Sequence, residues 1–287
     1  DSLPSRMTFI GAGIISLEFA TMAAKMGVEV HVVEFAERAL AAYPAAYVSA
    51  VVDKMADEGV TFHFGQAVSE AKEVANGYLV STASGLEIET DYIIDATGRV
   101  SNVEGLGLEA LGIEADRAGI RVNEYMQTAV PNIFASGDVV SKDIPRLTPT
   151  AAFESEYIAR YILGEKEAIK YPVVPNIVFT MPRIAQVGVT VAEAEANSER
   201  YKVVRIPFGQ RLKFQTKLEA EADFTLIVDQ EKHLVGAALL SQEAGEMINL
   251  LTLVINQKLT AKDLDQMIFA FPATTYALLS HVKAALA

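Results

Sequence analysis

Two glycines and a glutamate carry the spacing in this 287-residue chain that is best suited to chemistry: Gly11, Gly13 and, twenty-three positions after the first, Glu34. Gly11 admits a tight turn, and Gly13 lets backbone N–H groups approach a phosphate with no side chain in the way. Ser16 stands three positions on, small enough for a helix and a strand to pack closely. A carboxylate at Glu34 suits the hydroxyls of an adenosine ribose and repels a phosphate carried there, which selects NADH over NADPH. Two glycines alone also fit a strand-to-helix turn that binds no phosphate. Placement argues for the dinucleotide, because the glycines join an apolar run to a helical pattern and Glu34 ends the next apolar run.

The elements that must position these residues follow from periodicity. Met7 to Ile10 is an apolar strand, the helical pattern runs to Gly27, and residues 28–33 form a second strand. Apolar residues at Val48, Val51, Val52 and Met55 recur at helical spacing within 44–59, and 60–64 is a third parallel strand. From Gln66 the period changes to two. Segments 67–74, 78–82 and 86–90, with turns at Asn76-Gly77 and Ser84-Gly85, predict a three-stranded antiparallel meander. Residues 92–96 return as a buried strand. A glycine-rich stretch follows, then Gly137-Asp138, and a helix is expected from Thr148 to about 163. Beyond Tyr171-Pro172 the chain mixes strands and helices, with a hairpin over 224–229 and 234–240 and helices near 192–196, 244–257 and 261–267.

Composition narrows the functional classes. Hydrophobic residues make up 51% and charged residues 21%, which marks a folded protein with a sizeable core. A net charge of −13 disfavours nucleic acid and anionic membranes as partners. No apolar run is long enough to span a bilayer, so a cytoplasmic setting is expected. With no cysteine, these residues offer no disulfide, thiolate nucleophile or cysteine-held metal. The four histidines, His31, His63, His233 and His281, show no metal-ligand spacing.

Five segments, taken in order, carry a resemblance. Gly11-Ala12-Gly13 with Leu17-Glu18-Phe19 and Val32-Val33-Glu34 resembles the NAD domain of the pyridine nucleotide-disulfide oxidoreductases. Ala96-Thr97-Gly98-Arg99 resembles that family's strand-ending signature. Pro131-Asn132-Ile133-Phe134-Ala135-Ser136-Gly137-Asp138 resembles its flavin-contacting segment, and Leu147-Thr148-Pro149-Thr150-Ala151-Ala152 the helix start that faces the flavin. Pro175-Asn176-Ile177 onward resembles the opening of its dimerisation domain.

The resemblance implies an α/β fold with three parts: a Rossmann-type NAD domain with its meander over 1–97, an incomplete FAD domain over 98–168, and an α+β dimerisation domain over 169–287. It further implies that Gly11, Gly13, Ile14, Ser16, Glu34 and Gly98 serve NAD, and that Gly137, Asp138, Thr148 and Ala151 serve FAD. Glu18 would stand beside the nicotinamide, and a homodimer would form through the C-terminal domain. Each residue also fits a plainer role: Glu18 a helix-start carboxylate, Ile14 a core side chain, Asp138 a turn aspartate, and Met247, Leu250, Leu251 and Val254 one core face.

Two departures from the family pattern stand out. The family's FAD fingerprint and redox cysteine pair belong to a segment expected before Asp1, so the chain reads as a fragment of a longer flavoprotein. Phe271 and Tyr276 occupy the positions of the family's histidine and glutamate, and a phenyl ring cannot move a proton. The favoured function is hydride transfer from NADH to FAD and on to an acceptor that the sequence leaves open. A non-catalytic NAD-binding and dimerising module is the alternative. A flavin-free dehydrogenase is disfavoured, because the surroundings of Gly137-Asp138 make sense only as half of a second nucleotide domain.

Overall fold

The computed structural model describes residues 2–287 as two compact units: the residues up to Gly98 together with Pro175–Ala287, and separately Arg99–Val174. In the first unit the nucleotide half begins β1 (Arg6–Ile10), α1 (Ile14–Lys25), β2 (Glu29–Val33), α2 (Ala45–Asp57), β3 (Val60–His63). The meander β4 (Val68–Val74), β5 (Gly77–Thr82), β6 (Glu87–Thr90) follows, and β7 (Tyr92–Asp95) closes the half. The four strands β3-β2-β1-β7 form one parallel sheet in that order. Phe9, Val30 and Val32 in its strands are fully buried, as are Leu17 and Ala20 of α1 and Val51 of α2. Removing each large apolar side chain from water contributes about 1.5–3 kcal/mol, which is what holds one face of these short strands against α1 and α2. The meander packs Val80 and Ile88 against Val33, so the strand ending at Glu34 is covered on that face as well.

The C-terminal half of the same unit is built from β10 (Asn176–Val178), β11 (Arg183–Gly188), α4 (Val191–Ala196), β12 (Tyr201–Ile206), α5 (Leu212–Gln215), β13 (Asp223–Asp229) and β14 (Leu234–Ser241). Helices α6 (Ala244–Asn256), α7 (Ala261–Asp265) and α8 (Thr274–Leu286) complete it. Its five strands form an antiparallel sheet in the order β10-β11-β14-β13-β12, which contains the expected hairpin as β13–β14. One core cluster runs through both halves, from Phe9 and Tyr47 to Ile184 and Ile227. Tyr47 of α2 also donates to Asp223 at 2.7 Å and lies 2.9 Å from the Thr225 hydroxyl, which fastens α2 to β13. Burial pushes the Tyr47 hydroxyl well above its ordinary pKa, so it remains a donor at physiological pH.

Two features go beyond what the sequence pattern decides. Met247, Leu251 and Val254 of α6 are core residues of their own unit, packed on β11 and β14, while Leu250 is half-buried. That stripe is therefore spent on the fold. Helix α8 has no counterpart in the pattern read from the sequence: it starts on Thr-Thr-Tyr after Ala273, with no side-chain cap to signal it.

The second unit contains the short pair β8 (Ala115–Asp116) and β9 (Gly119–Ile120), a 3₁₀ turn over Gly137–Val139, and α3 (Thr148–Leu163). Ile113, Ile120, Met126, Ala135, Val140 and Tyr157 form its core. Among the described residues no helix is long and apolar enough to cross a membrane.

Candidate functional site

The turn between β1 and α1 is built around Gly11, whose φ of 94° is left-handed. A Cβ there would lie 2.8 Å from the Ala96 carbonyl oxygen, so the end of β7 leaves room for glycine alone. At Gly13 and at Gly98 (φ 127°) nothing lies within 4 Å of where a Cβ would be, so both backbones face open space. Gly13 caps α1 without any side-chain hydrogen bond, and α1 has no acidic residue in its first turn. The amides of Ile14, Ile15 and Ser16 therefore reach the helix N-terminus without an intrahelical acceptor, at the positive end of the macrodipole.

Gly11, Ala12, Gly13, Glu34, Phe35, Ala36, Arg38, Gln66 and Gly98 all line one cavity of about 510 Å³. That volume is in the range of small-molecule sites. Glu34 is only 8% exposed. One of its carboxylate oxygens accepts from the Ala12 N–H at 2.6 Å and the other from the Ala36 N–H at 2.8 Å. Both oxygens keep lone pairs for further donors. Arg38 is held to the carbonyls of Ala41, Leu40 and Tyr43, so its guanidinium is committed to the backbone of the following loop. At the end of β7, Asp95 accepts from the Thr97 hydroxyl at 2.7 Å and from its N–H at 3.0 Å. These bonds hold the Asp95 carboxyl below the usual range and set the entry to Gly98.

The remaining residues of α1 divide between core and surface. Ser16 is fully buried with its hydroxyl unpartnered, and Ile14 is half-buried against the core. Glu18 accepts from the Phe179 N–H at 2.9 Å, across to the C-terminal half of the same unit. Its charge, together with burial as the larger cause, raises the pKa of the nearby Tyr43 hydroxyl. Periodicity gave no hint of Tyr43 or Phe179, because each meets Glu18 only after the chain has folded back.

In the other unit Gly137, Asp138, Thr148 and Ala151 gather where the 3₁₀ turn meets α3. Gly137 has a φ of 79°, and a Cβ on it would stand 3.4 Å from the Ala151 Cβ. Asp138 is exposed, and no hydrogen bond holds its carboxylate within the described residues. Thr150 is 4% exposed, with a buried hydroxyl that has no partner. Behind this turn lies a group that sequence reading passed over: Glu154, fully buried, accepting from the Gly137 N–H at 2.6 Å and the Tyr171 hydroxyl at 2.7 Å, and paired with Lys142. Its only sequence signal is position, since Thr150, Glu154 and Tyr157 share the buried face of α3.

Phe271 is 78% exposed and meets Tyr276 edge to face, with ring centroids 5.3 Å apart. Neither a carboxylate nor an imidazole stands at either position. His31 and His63, 32 residues apart, are brought together by the β2–β3 register, with Nδ1 and Nε2 3.1 Å apart and Glu29 3.3 Å from the free nitrogen of His31. Among the described residues no group of three or more His, Cys, Asp or Glu side chains is placed to hold a metal ion.

Comparison with known proteins places this geometry. The family model described as pyridine nucleotide-disulphide oxidoreductase matches residues 1–155, and that for the dimerisation domain of the same group matches 174–280. The chain is 32% identical over 273 residues to a dihydrolipoyl dehydrogenase of Chlamydia muridarum, covering 94% of the chain and 58% of that protein. It is 33% identical to that of Haloferax volcanii, covering 100% and 61%. Among solved structures, LpdA from Mycobacterium tuberculosis superposes with a TM-score of 0.91 at 23% identity, over 100% of this chain and 63% of that one. The HOCl-induced flavoprotein disulfide reductase RclA from Escherichia coli gives 0.87 at 25% identity, over 99% and 65%. The chain thus spans about three-fifths of the length of the relatives it matches.

Proposed function

The chain belongs to the pyridine nucleotide-disulphide oxidoreductase family, whose members use FAD and NAD(P), and from that premise we propose that it supplies the NADH site and the dimer contact of an FAD-dependent NADH oxidoreductase. One observation carries the reading. A single cavity joins Gly11, Gly13 and Gly98 to a buried carboxylate, Glu34, beside a helix N-terminus whose amides lack acceptors. Pyrophosphate oxygens suit those amides, and Glu34 accepts from ribose hydroxyls with the lone pairs its two backbone bonds leave. A 2′-phosphate beside the same carboxylate would place like charges together, so NADH is the preferred donor.

The unpartnered Thr150 hydroxyl, the untied Asp138 carboxylate and the start of α3 fit the second cofactor. Asp138 accepts hydrogen bonds from hydroxyls of the FAD chain, and the N-terminus of α3 favours negative charge at the pyrimidine edge. When bound, FAD supplies the acceptor for a hydride from the nicotinamide and passes two electrons onward. Glu18 orients the nicotinamide side, its backbone bond to Phe179 limiting how far the carboxylate swings. Ile14, half-buried at the start of α1, would stand on the same side, covering the flavin until the nicotinamide displaces it.

Phe271 and Tyr276 form a surface without an acid–base group of imidazole type, so the reaction is not expected to rely on a proton shuttle there. The same observation favours a second reading, in which the protein binds NADH and dimerises without turnover. With the α6 stripe used internally, the C-terminal half still exposes apolar side chains, among them Leu212, Leu218, Leu253, Met267, Ile268 and Phe271, to meet a second copy. Sedimentation of a monomer at micromolar concentration would remove the dimer. The flavin assignment is tested by Asp138→Ala in the full-length protein: FAD retention should weaken at least tenfold, and unchanged retention would refute it.

A further inference from the structure

The turn that presents Asp138 is fastened from behind and free in front. Of the two residues preceding Asp138, Ser136 lies 3.1 Å through its hydroxyl from that of Ser155, and Gly137 gives its N–H to Glu154 at 2.6 Å. Both anchors sit on α3. Asp138 itself is exposed and untied. A carboxylate with zero exposure in a mid-helix position is costly unless its charge is matched and its lone pairs filled. Glu154 meets both conditions, with the Lys142 side chain only 8% exposed beside it and the Tyr171 hydroxyl and Gly137 amide donating. Burial, followed by the bond to Glu154 and its charge, raises the Tyr171 pKa, which keeps the hydroxyl a donor. A well-packed apolar trio would hold α3 to its surroundings at least as well, so helix packing does not account for a charged group here. What an apolar side chain cannot do is accept from Gly137.

Resting on the flavin reading above, we propose that Glu154 is the positioning residue of the flavin-contacting turn: balanced by Lys142 and Tyr171, it pins the Gly137 amide and so fixes the direction in which Asp138 presents its carboxylate. Lys142 pairs with Glu154 and holds it in place, and the Tyr171 hydroxyl donates to the same carboxylate. Glu154 acts through the backbone and touches no cofactor.

The test uses two double variants of the full-length protein. Glu154→Gln with Lys142→Met keeps an acceptor oxygen for Gly137 and leaves no unpaired charge. Glu154→Leu with Lys142→Met is apolar and similar in size but offers no acceptor. Both should fold; Gln/Met should melt near the parent, whereas Leu/Met leaves the Gly137 N–H and the Tyr171 hydroxyl without an acceptor and should melt lower. Three quantities are read: melting temperature, FAD retention on dilution, and hydrogen exchange of the segment containing Gly137 and of α3. The Gln/Met protein should keep FAD within about threefold of the parent, with the Gly137 amide still protected. The Leu/Met protein should lose FAD at least tenfold more readily and exchange that amide at least tenfold faster, while the core amides of α3 keep the parent's protection. If Leu/Met matches the parent in both, or if Gln/Met fails along with it, the positioning role is wrong. Exchange is measured without flavin, so it decides the role of Glu154 even if Asp138→Ala shows that the turn binds no FAD.

Discussion

Replacing Glu34 by glutamine changes one atom and should separate two electron donors. In the native site each carboxylate oxygen already accepts one backbone N–H, at 2.6 Å from Ala12 and 2.8 Å from Ala36. Glutamine keeps one oxygen and turns an NH₂ group toward the other amide, so one acceptor is lost and two donors face each other. A lost charge-assisted bond at a buried group costs about 1–3 kcal/mol of stability. The same change weakens the bonds offered to the ribose hydroxyls, which at about 1.4 kcal/mol per factor of ten makes NADH affinity about ten- to a hundredfold poorer. NADPH should respond differently, because the variant also removes the charge that opposes its 2′-phosphate, and its affinity should move by less than about threefold by the same arithmetic. The preference for NADH over NADPH therefore collapses in the variant. Titration followed by nicotinamide fluorescence measures both affinities, helped by a chain that has no tryptophan to overlap the signal. Equal affinity of the parent for the two nucleotides, or an unchanged ratio in Glu34→Gln, would overturn the assignment of Glu34.

Gly11→Ala adds a methyl 2.8 Å from the Ala96 oxygen at a left-handed φ of 94°, so unfolding free energy should fall by more than about 1 kcal/mol and NADH titration should show no saturable site. Tyr47→Phe deletes the bonds to Asp223 and Thr225, leaving the Asp223 carboxylate without that donor and the Thr225 hydroxyl without its partner, a loss of about 1–3 kcal/mol visible in the denaturant midpoint. Burial and then the facing His31 hold the His63 imidazole below its ordinary pKa, and burial and then Arg211 do the same for His281. The unfolded chain therefore binds protons more readily at both sites, so stability is full above about pH 7 and falls as pH drops through the imidazole value of about 6.5. Denaturation between pH 5 and pH 7.5 should show that slope, and His63→Asn with His281→Asn should flatten it; a slope that survives both substitutions removes the explanation. Phe271→His should introduce an imidazole inflection near pH 6.5 into kcat/KM that the parent lacks, and an inflection already present in the parent would show that another group titrates there.

Legibility in the sequence followed how local the determining forces are. The β1–α1–β2 unit declares itself because Gly11, Gly13 and Glu34 lie within one supersecondary element, and the meander because Gly77 and Gly85 mark its turns at left-handed φ of 116° and 91°. Strands β10, β11 and β12 were harder to place, since their apolar runs are short and their neighbours in the sheet come from far along the chain. Helix α8 was missed because it starts without a capping side chain. The α6 stripe was legible as apolar, but a one-dimensional pattern does not say whether such a face meets its own sheet or a second molecule. Within the site, the glycines and Glu34 meet as their spacing implies. Glu154, Lys142 and Tyr171 were invisible, because a buried ion pair reads as an ordinary surface charge until the fold shows that both partners have lost water.

The most direct test of the central claim is anaerobic stopped-flow mixing of NADH with the full-length protein while the visible absorbance of its flavin is followed. The account predicts a yellow protein that bleaches rapidly with NADH and far more slowly with NADPH at the same concentration. A colourless protein that takes up no FAD, or a yellow one whose flavin NADH leaves oxidised, would contradict it.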